Sequence, residues 1–275
     1  MESDTWFSKT DLYYFEKTVI IVLYTRYEVF NMMYNENRTV KSITIWGDSL
    51  GKGVAWNAER QRHVPLSENA VNVISRNTGI PINNRCRFGF TATRGLELLK
   101  RDLDQGLTCD VAVLEFGGND CDFDWKAISE RPDEVHGPAV EPDTFRKTLI
   151  DMVGILLEKG IRPILVTMPP IDAERYFCFF IGNRLNPQNV LKWLGDIQQI
   201  YRFQEFYSSL IRSVAEELHC TLLDIRSMCL ANRSLQDLIC DDGIHLNRAG
   251  QIYLGESVSN LILDRNRKVQ PGCAL

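Results

Sequence analysis

The chain has 275 residues, of which 44% are hydrophobic and 24% are charged, and its formal net charge at pH 7 is −5. This composition excludes an intrinsically disordered chain and fits one large domain or two small ones. The acidic balance argues against a nucleic-acid surface, which needs clustered lysine and arginine. No apolar run approaches the roughly 18 residues of a membrane helix, and the apolar stretch 19–24 is too short for a signal peptide. We therefore expect a cytoplasmic protein that binds neither nucleic acid nor membranes.

The first forty residues differ from the rest of the chain, because they are rich in aromatic side chains but show no clear period. Two interpretations are open. In the first, the native start lies at Met32 or Met33 and the leader is an upstream extension. In the second, a helix near 11–31 packs on the domain or on a partner chain. We assign 1–40 as an N-terminal extension of uncertain role and 41–275 as the folded domain.

From residue 42 onward, short β-branched runs alternate with longer segments of helical period. The predicted strands are 43–46, 84–88, 111–116, 164–167 and 221–224, and the predicted helices are 67–78, 95–105, 142–159, 204–218 and 247–264. Ser67 and Asn247 are the expected N-caps of the first and last helices, and Gly160 suits the left-handed position after the third. This alternation predicts a parallel sheet covered on both faces. In such sheets, ligands bind at the carboxyl ends of the strands.

A Gly-Asp-Ser-Leu-Gly sequence at 47–51 directly follows the first predicted strand. The flanking glycines permit a tight turn that exposes the hydroxyl of Ser49 and aims backbone N–H groups at one point. The same residues could instead cap the next helix. A Walker A loop is excluded because Trp46 stands where that loop needs glycine, and Trp56 excludes a dinucleotide-binding fingerprint in the same way.

Two further motifs are predicted to lie near the carboxyl ends of the strands, where a parallel sheet binds its ligands. Gly-Gly-Asn-Asp at 117–120 follows the third strand. Asn119 could donate a hydrogen bond to a developing oxyanion, or the four residues could simply form a turn. Asp-Gly-Ile-His at 242–245 precedes the last helix. Asp242 can accept the Nδ1–H of His245 and leave Nε2 free to take a serine proton, and Asp241 is the only rival acid. The remaining histidines, which are interpreted as structural or as loop residues without an equivalent acidic partner, are His63, His136 and His219.

The order of these sequences, with G-D-S first, G-x-N-D in the middle and D-x-x-H near the end, resembles the SGNH hydrolase family of GDSL-like lipases and esterases. The resemblance covers about 42–262. A fourth sequence, Gly-Phe-Thr at 89–91 followed by Gly95, is similar to the family's second glycine region, and Gly89 is its best match for the oxyanion-hole glycine. The resemblance implies an SGNH domain over 41–275 that is a three-layer α/β/α sandwich, flavodoxin-like, with five parallel strands.

The resemblance also implies a carboxylic ester hydrolase that needs neither a metal nor an organic cofactor. Ser49 would attack the ester carbonyl, His245 would act as general base and general acid, and Asp242 would fix the imidazole tautomer. The backbone N–H groups of Ser49 and Gly89, with the side chain of Asn119, would bind the oxyanion.

Two long connections, 121–141 and 169–201, are expected to wall the cleft. Their aromatic side chains could line an acyl or sugar pocket, fill the space under a lid, or form an oligomer contact. Asp48 and Asp120 belong to the motifs and are expected to hold their loops by hydrogen bonds, and both are also candidates for substrate contact. The candidate substrate-binding residues are Asp48, Asp120, Trp125, Tyr176 and Phe177.

The expected substrate is a small-molecule ester with a short acyl or acetyl group, carried on a carbohydrate in one version of this hypothesis. Two alternatives are a lysophospholipase or thioesterase acting on longer acyl chains, and a non-catalytic binding module on the same fold. The eight cysteines form no C-x-x-C pair, so reduced and mostly buried thiols are expected, and no metal site is predicted. A homo-oligomer is left open.

Overall fold

The computed structural model describes residues 40–182 and 184–269, with side chains described up to residue 263. Apart from Val40, the extension assigned to 1–40 lies outside the described residues, and so do both interpretations of it. Within the described ranges, no helix is both long and apolar enough to span a bilayer.

A five-stranded parallel sheet forms the centre of the fold. The described strands are β1 (Ile43–Gly47), β2 (Val54–Asn57), β3 (Arg62–Pro65), β4 (Ile82–Asn84), β5 (Val111–Glu115), β6 (Arg162–Val166) and β7 (Thr221–Leu223). The sheet has the order β4-β1-β5-β6-β7, and each neighbouring pair is parallel. The carboxyl ends of β1, β5 and β6 therefore meet at one edge, and the predicted fold class is confirmed.

Helices connect these strands and cover the sheet. They are α1 (Ala70–Thr78), α2 (Ala92–Asp104), α3 (Trp125–Glu130), α4 (Pro142–Glu158), α5 (Ala173–Tyr176), α6 (Pro187–Leu194), α7 (Gln199–Glu217), α8 (Ile225–Leu230) and α9 (Arg248–Val269). A π-helical turn, Phe177–Gly182, continues α5, and a short 3-10 turn, Leu235–Leu238, precedes the last loop. The sequence predicted α1, α2, α4, α7 and α9 but not the four shorter helices.

The two faces of the sheet carry two separate apolar cores, because successive residues of a strand point to opposite sides. On β5, Ala112 and Leu114 belong to the core formed with α2, α4 and α7. Val111 and Val113 lie on the other face, in the core formed with α1 and α9. The result is a helix–sheet–helix sandwich of three layers.

Several predicted boundaries shift in the structure. The first helix begins at Ala70, and its cap is not Ser67 but Asn69, whose side chain accepts the N–H of Asn72. The strand predicted at 84–88 is Ile82–Asn84, and the next residues follow β1 only through single backbone hydrogen bonds. The other two capping predictions are confirmed. Gly160 has a φ of 70°, and the Oδ1 of Asn247 accepts the N–H of Gly250.

An antiparallel hairpin of β2 and β3, outside the main sheet, was not predicted. It is fastened to the turn that follows β1. The N–H of Val54 donates to the carbonyl of Ser49, and the N–H of Leu66 donates to the carbonyl of Gly53, each over 2.9 Å. The hairpin is therefore anchored beside Ser49 at the start of β2 and at the end of β3.

The connection 169–201 folds into α5, the π-helical turn and α6, which pack with α3 and with residues at the start of α7 through an aromatic cluster. Core packing accounts for Phe177 in this cluster, because its side chain is buried. The cysteines of the described ranges are free thiols, and all of them except Cys178 are buried.

Candidate active site

The turn after β1 holds Ser49 in a confined space at the carboxyl edge of the sheet. The Oε2 atom of Glu115, the last residue of β5, accepts the N–H of Gly51 over 2.9 Å and the N–H of Asp48 over 3.3 Å. Gly47 is needed for this approach, since a Cβ there would lie 2.6 Å from the carbonyl oxygen of Glu115. The neighbouring strand thus clamps the turn that carries the serine.

A continuous row of hydrogen bonds joins Ser49, His245 and Asp242. The Nε2 of His245 lies 2.9 Å from the Oγ of Ser49, and its Nδ1 lies 2.7 Å from the Oδ2 of Asp242. Ser49 is 8% exposed, His245 is 2% exposed and Asp242 is fully buried. Asp241, the rival acid in the sequence, is exposed. The geometry is that of a nucleophile, a base and an acid that orients the base.

The loop between α8 and α9 fixes Asp242. Its Oδ1 accepts the backbone N–H groups of Ile244 and His245 over 3.1 and 3.0 Å. Burial raises the pKa of Asp242, but the hydrogen bond and the charge of His245 outweigh burial and bring this pKa to about 2. Gly243 has a φ of 78°, and a Cβ there would lie 2.4 Å from the backbone nitrogen of Tyr176, so the loop can be held this closely only with glycine.

The three groups predicted to donate hydrogen bonds to an oxyanion differ in whether they already have an acceptor in this structure. Within the described residues, no acceptor takes the backbone N–H of Ser49 or of Gly89. The Nδ2 of Asn119 lies 3.1 Å from both the Oδ2 of Asp48 and the carbonyl oxygen of Phe90. Both of its N–H groups therefore have acceptors inside the site, and a bound oxyanion would have to replace or share one of them.

Three buried carboxyl groups lie close to the turn that carries Ser49, and they belong to Asp48, Glu115 and Asp120. Burial raises the pKa of Asp48 to about 6 and that of Asp120 to about 7. Burial, followed by the charge of Asp48, raises the pKa of Glu115 well above its ordinary value. The Oδ1 of Asp120 accepts the N–H of Ala92 at the start of α2 over 2.8 Å. Asp120 thus fastens the 117–120 loop to the start of α2, which agrees with the loop-holding role predicted for it.

A small cavity of about 70 Å³ opens beside Ser49. Trp125 and Tyr176 line it, as does Asp48, whereas Asp120 and Phe177 are not among the described residues that line it. Asp120 is fully buried, and Phe177 packs into the aromatic cluster.

A hydrogen-bonded triangle fixes the far wall of the cavity. The hydroxyl of Tyr176 donates to the Oδ1 of Asp122 over 2.7 Å, and the Nε1 of Trp125 lies 2.9 Å from both atoms. Burial and the neighbouring carboxylate raise the pKa of Tyr176 well above its ordinary value, so its hydroxyl keeps its proton. Trp125 and Tyr176 in this wall are both buried and hydrogen-bonded.

The sequence missed His63, which the structure brings to the site. Its Nε2 lies 2.8 Å from the Oδ2 of Asp242. No local pattern could have shown this contact, because 179 residues separate the two side chains. His63, Asp242 and His245 are also the one set of metal-ligand types that converges in the described ranges, with ligand atoms within 4.8 Å of one another. In this structure the Nε2 of His63 and the Nδ1 of His245 both lie within hydrogen-bond distance of the Oδ2 of Asp242.

Phe88 was also absent from the predicted site. Its side chain is 56% exposed, and its ring lies nearly parallel to that of His245, at 14°, with the ring centroids 6.4 Å apart. An exposed aromatic ring beside a buried imidazole offers a flat apolar surface at the mouth of the site.

Comparisons with known proteins agree with this fold. A model of the GDSL-like lipase/acylhydrolase family matches residues 45–251. A lipase/acylhydrolase from Enterococcus faecalis is 19% identical over 85% of this chain and 100% of its own, with a TM-score of 0.56.

Two further similar structures are described as acetyl esterases. A carbohydrate acetylesterase from Sinorhizobium meliloti is 17% identical over 82% of this chain and 99% of its own, with a TM-score of 0.55. An acetyl xylan esterase is 20% identical over 82% and 98%, with a TM-score of 0.53. No curated protein sequence matches the chain significantly. At these identities the solved structures establish a shared architecture.

Proposed function

This chain belongs to the GDSL-like lipase/acylhydrolase family and is a carboxylic ester hydrolase, and from that premise we propose that it removes short acyl groups, foremost acetyl groups on carbohydrates. The observation that carries the proposal is the row of hydrogen bonds from Asp242 through His245 to Ser49. A buried hydroxyl that touches an imidazole, itself oriented by an ionised carboxylate, is an activated nucleophile.

In the acylation step, the Oγ of Ser49 attacks the carbonyl carbon while the Nε2 of His245 takes its proton. The carbonyl oxygen becomes an anion, which the free N–H groups of Ser49 and Gly89 bind, joined by Asn119 when the oxyanion replaces the carbonyl of Phe90 as an acceptor. The tetrahedral intermediate then collapses, and the alkoxide leaves with the proton held by His245.

In the second half-reaction, His245 takes a proton from water, and the resulting hydroxide attacks the acyl group on Ser49. The same N–H groups bind the second oxyanion, and the proton returns to the Oγ of Ser49 as the carboxylic acid departs. Asp242 remains ionised throughout, because its pKa of about 2 lies far below neutral pH.

The size of the cavity favours a short acyl group. Its volume of about 70 Å³ is about half that of an apolar cavity that admits benzene. An acetyl to butyryl group fits such a space, and the triangle of Trp125, Tyr176 and Asp122 blocks a longer chain.

The alcohol part of the substrate leaves on the side of His245, because the imidazole must deliver a proton to it. Phe88 lies beside that ring and faces solvent, and the flat face of an aromatic ring can stack against a sugar. Two structures of the same architecture are named as carbohydrate acetyl esterases, which supports a sugar as the alcohol. Replacing Phe88 by alanine should raise the KM for acetylated sugars several-fold and leave kcat for p-nitrophenyl acetate within about twofold.

The proposal is tested with p-nitrophenyl esters of two to twelve carbons and with acetylated xylose and glucose, using the wild type, Ser49→Ala and Ser67→Ala. We expect the highest kcat/KM at two to four carbons and a fall of tenfold or more by eight. Ser49→Ala should lose on the order of 10⁴-fold or more in kcat. Ser67→Ala removes an exposed hydroxyl and serves as the matched control.

Each opposite outcome has a definite meaning. An optimum at ten to twelve carbons would replace the proposal by a lysophospholipase or thioesterase. Full retention of activity in Ser49→Ala would refute the assignment of the nucleophile. Absence of hydrolysis across the panel, with folded protein, would favour a binding module.

A further inference from the structure

Asp242 is bound by a second histidine that lies far from it in the chain. His63 stands on β3, in the hairpin that follows the serine turn, and its side chain is 19% exposed. Its Nε2 lies 2.8 Å from the Oδ2 of Asp242, the same oxygen that the Nδ1 of His245 contacts over 2.7 Å. A carboxylate ionised at neutral pH can only accept hydrogen bonds, so the Nε2 of His63 carries a proton and donates it.

With this bond, the carboxylate of Asp242 is saturated. It offers about four acceptor positions, and four N–H donors fill them. The N–H groups of Ile244 and His245 reach Oδ1, and the imidazoles of His245 and His63 reach Oδ2. If the donor of His63 is lost, one position on a buried oxygen is left empty and the carboxylate can turn away from His245.

The hairpin is built to hold this contact. Trp56, the cross-strand neighbour of His63, meets its ring edge-on with centroids 5.1 Å apart. The rings of Phe88 and Phe179 lie within 5.8 and 6.2 Å of it. The other end of the hairpin is bonded to the carbonyl of Ser49. The hairpin of β2 and β3 therefore links the turn that carries Ser49 to Asp242.

We propose that His63 is a positioning residue for ester hydrolysis, which holds Asp242 by a hydrogen bond from its Nε2 so that the carboxylate faces the Nδ1 of His245. This inference rests on the proposed function, because it assigns a role within the same row. His63 is not among the described residues that line the cavity, but its ring also lies beside that of His245, with centroids 4.9 Å apart. A comparison of donor and non-donor side chains at position 63 therefore separates the hydrogen bond to Asp242 from packing against His245.

The test compares three substitutions at one position. In His63→Gln the amide nitrogen takes the place of Nε2 and can still donate to Asp242. His63→Asn is polar but places its nitrogen near Nδ1, out of reach, and His63→Leu has no donor. We expect Asn and Leu to lower kcat for p-nitrophenyl acetate by about tenfold to a hundredfold, the range of a hydrogen bond to a charged group. KM should stay within about twofold, and Gln should restore kcat to within about fivefold of the wild type.

A second readout is independent of substrate binding. The rate of labelling by a fluorophosphonate should fall in the Asn and Leu variants by the same factor as kcat. Urea midpoints show whether each variant is folded, and the comparison of Gln with Asn remains decisive if Leu does not fold. His219→Asn, which alters an exposed histidine at the amino end of β7, should be indistinguishable from the wild type.

Equal activity of the Gln and Asn variants would overturn the role of His63, since packing alone would then explain any loss. Ser49→Ala separates this failure from that of the proposed function. If Ser49→Ala is inactive while all His63 variants match the wild type, only the inference on His63 falls. If Ser49→Ala is fully active, the proposed function itself falls.

Discussion

Replacing Asp120 by asparagine should stabilise the protein more at high pH than at low pH. Burial, followed by the charge of Asp48, raises the pKa of Asp120 from 3.8 to about 7 in the folded state. Below pH 3.8 the group is protonated both folded and unfolded, and it costs nothing. Between pH 3.8 and about 7 the unfolded chain ionises this group while the folded protein keeps it protonated, so stability is lost across that range and the loss is nearly complete above about pH 7.

The size of the effect follows from the two pKa values. At about 1.4 kcal/mol per pH unit, the cost is about 4 kcal/mol at pH 8 and about 1 kcal/mol at pH 4.5. Asparagine keeps an oxygen for the N–H of Ala92 but has no charge. The stability gained by Asp120→Asn should therefore be about 3 kcal/mol larger at pH 8 than at pH 4.5.

Urea unfolding at the two pH values, followed by tryptophan fluorescence, measures this difference directly. Groups present in both proteins cancel in the comparison of variant with wild type. Asp104→Asn, which removes an exposed carboxylate at the end of α2, is the control and should show little difference between the two pH values. A gain for Asp120→Asn that is the same at pH 4.5 and pH 8 would contradict the reasoning.

Three other substitutions probe the site. Asn119→Ala should lower kcat by about 10² to 10³ with little change in KM, as expected for a donor that acts on the oxyanion; an unchanged kcat would remove it from the mechanism. Phe203→Ala opens the wall of the cavity and should move the best acyl chain from two to four carbons towards six to eight, whereas an unmoved optimum would mean that acyl groups bind elsewhere. Gly243→Ala forces a Cβ to within 2.4 Å of the backbone nitrogen of Tyr176 at a positive φ, and it should cost about 2 kcal/mol or more in a urea titration.

The central sheet was predictable because strands buried on both faces are short apolar runs, which can be recognised from the local sequence alone. The predicted and observed bounds of β1 and β5 differ by one residue, 43–46 against Ile43–Gly47 and 111–116 against Val111–Glu115. The three motifs were placed correctly at strand ends and a helix start for the same reason. Parallel topology then brings residues 49 and 245 together, although nearly the whole domain separates them.

The features that sequence reasoning missed depend on contacts between distant residues. The hairpin of β2 and β3 is short and half-exposed, so it has little of the apolar alternation that marks a strand. His63 follows Gln61 and Arg62 in the sequence, and only the folded chain brings it to Asp242. The helices in 169–201 are likewise stabilised by aromatic packing with α3 rather than by a clear helical period.

The cavity beside Ser49 was only partly predictable. Trp125 and Tyr176 were chosen as aromatic residues in long connections, and they do line the cavity. The same criterion selected Phe177, which is adjacent in sequence but points into the cluster. The criterion missed Phe88, because a single exposed aromatic residue carries no signal until its distance from His245 is known.

The most direct test of the account is the site of covalent labelling by a serine-directed fluorophosphonate. After labelling of the wild-type protein and proteolysis, mass spectrometry should find one adduct, on the peptide that contains Ser49. Labelling should be lost in Ser49→Ala and strongly slowed in His245→Gln, while both variants stay folded. An adduct on another residue, together with full esterase activity in Ser49→Ala, would contradict the claim that Ser49, activated by His245, is the nucleophile.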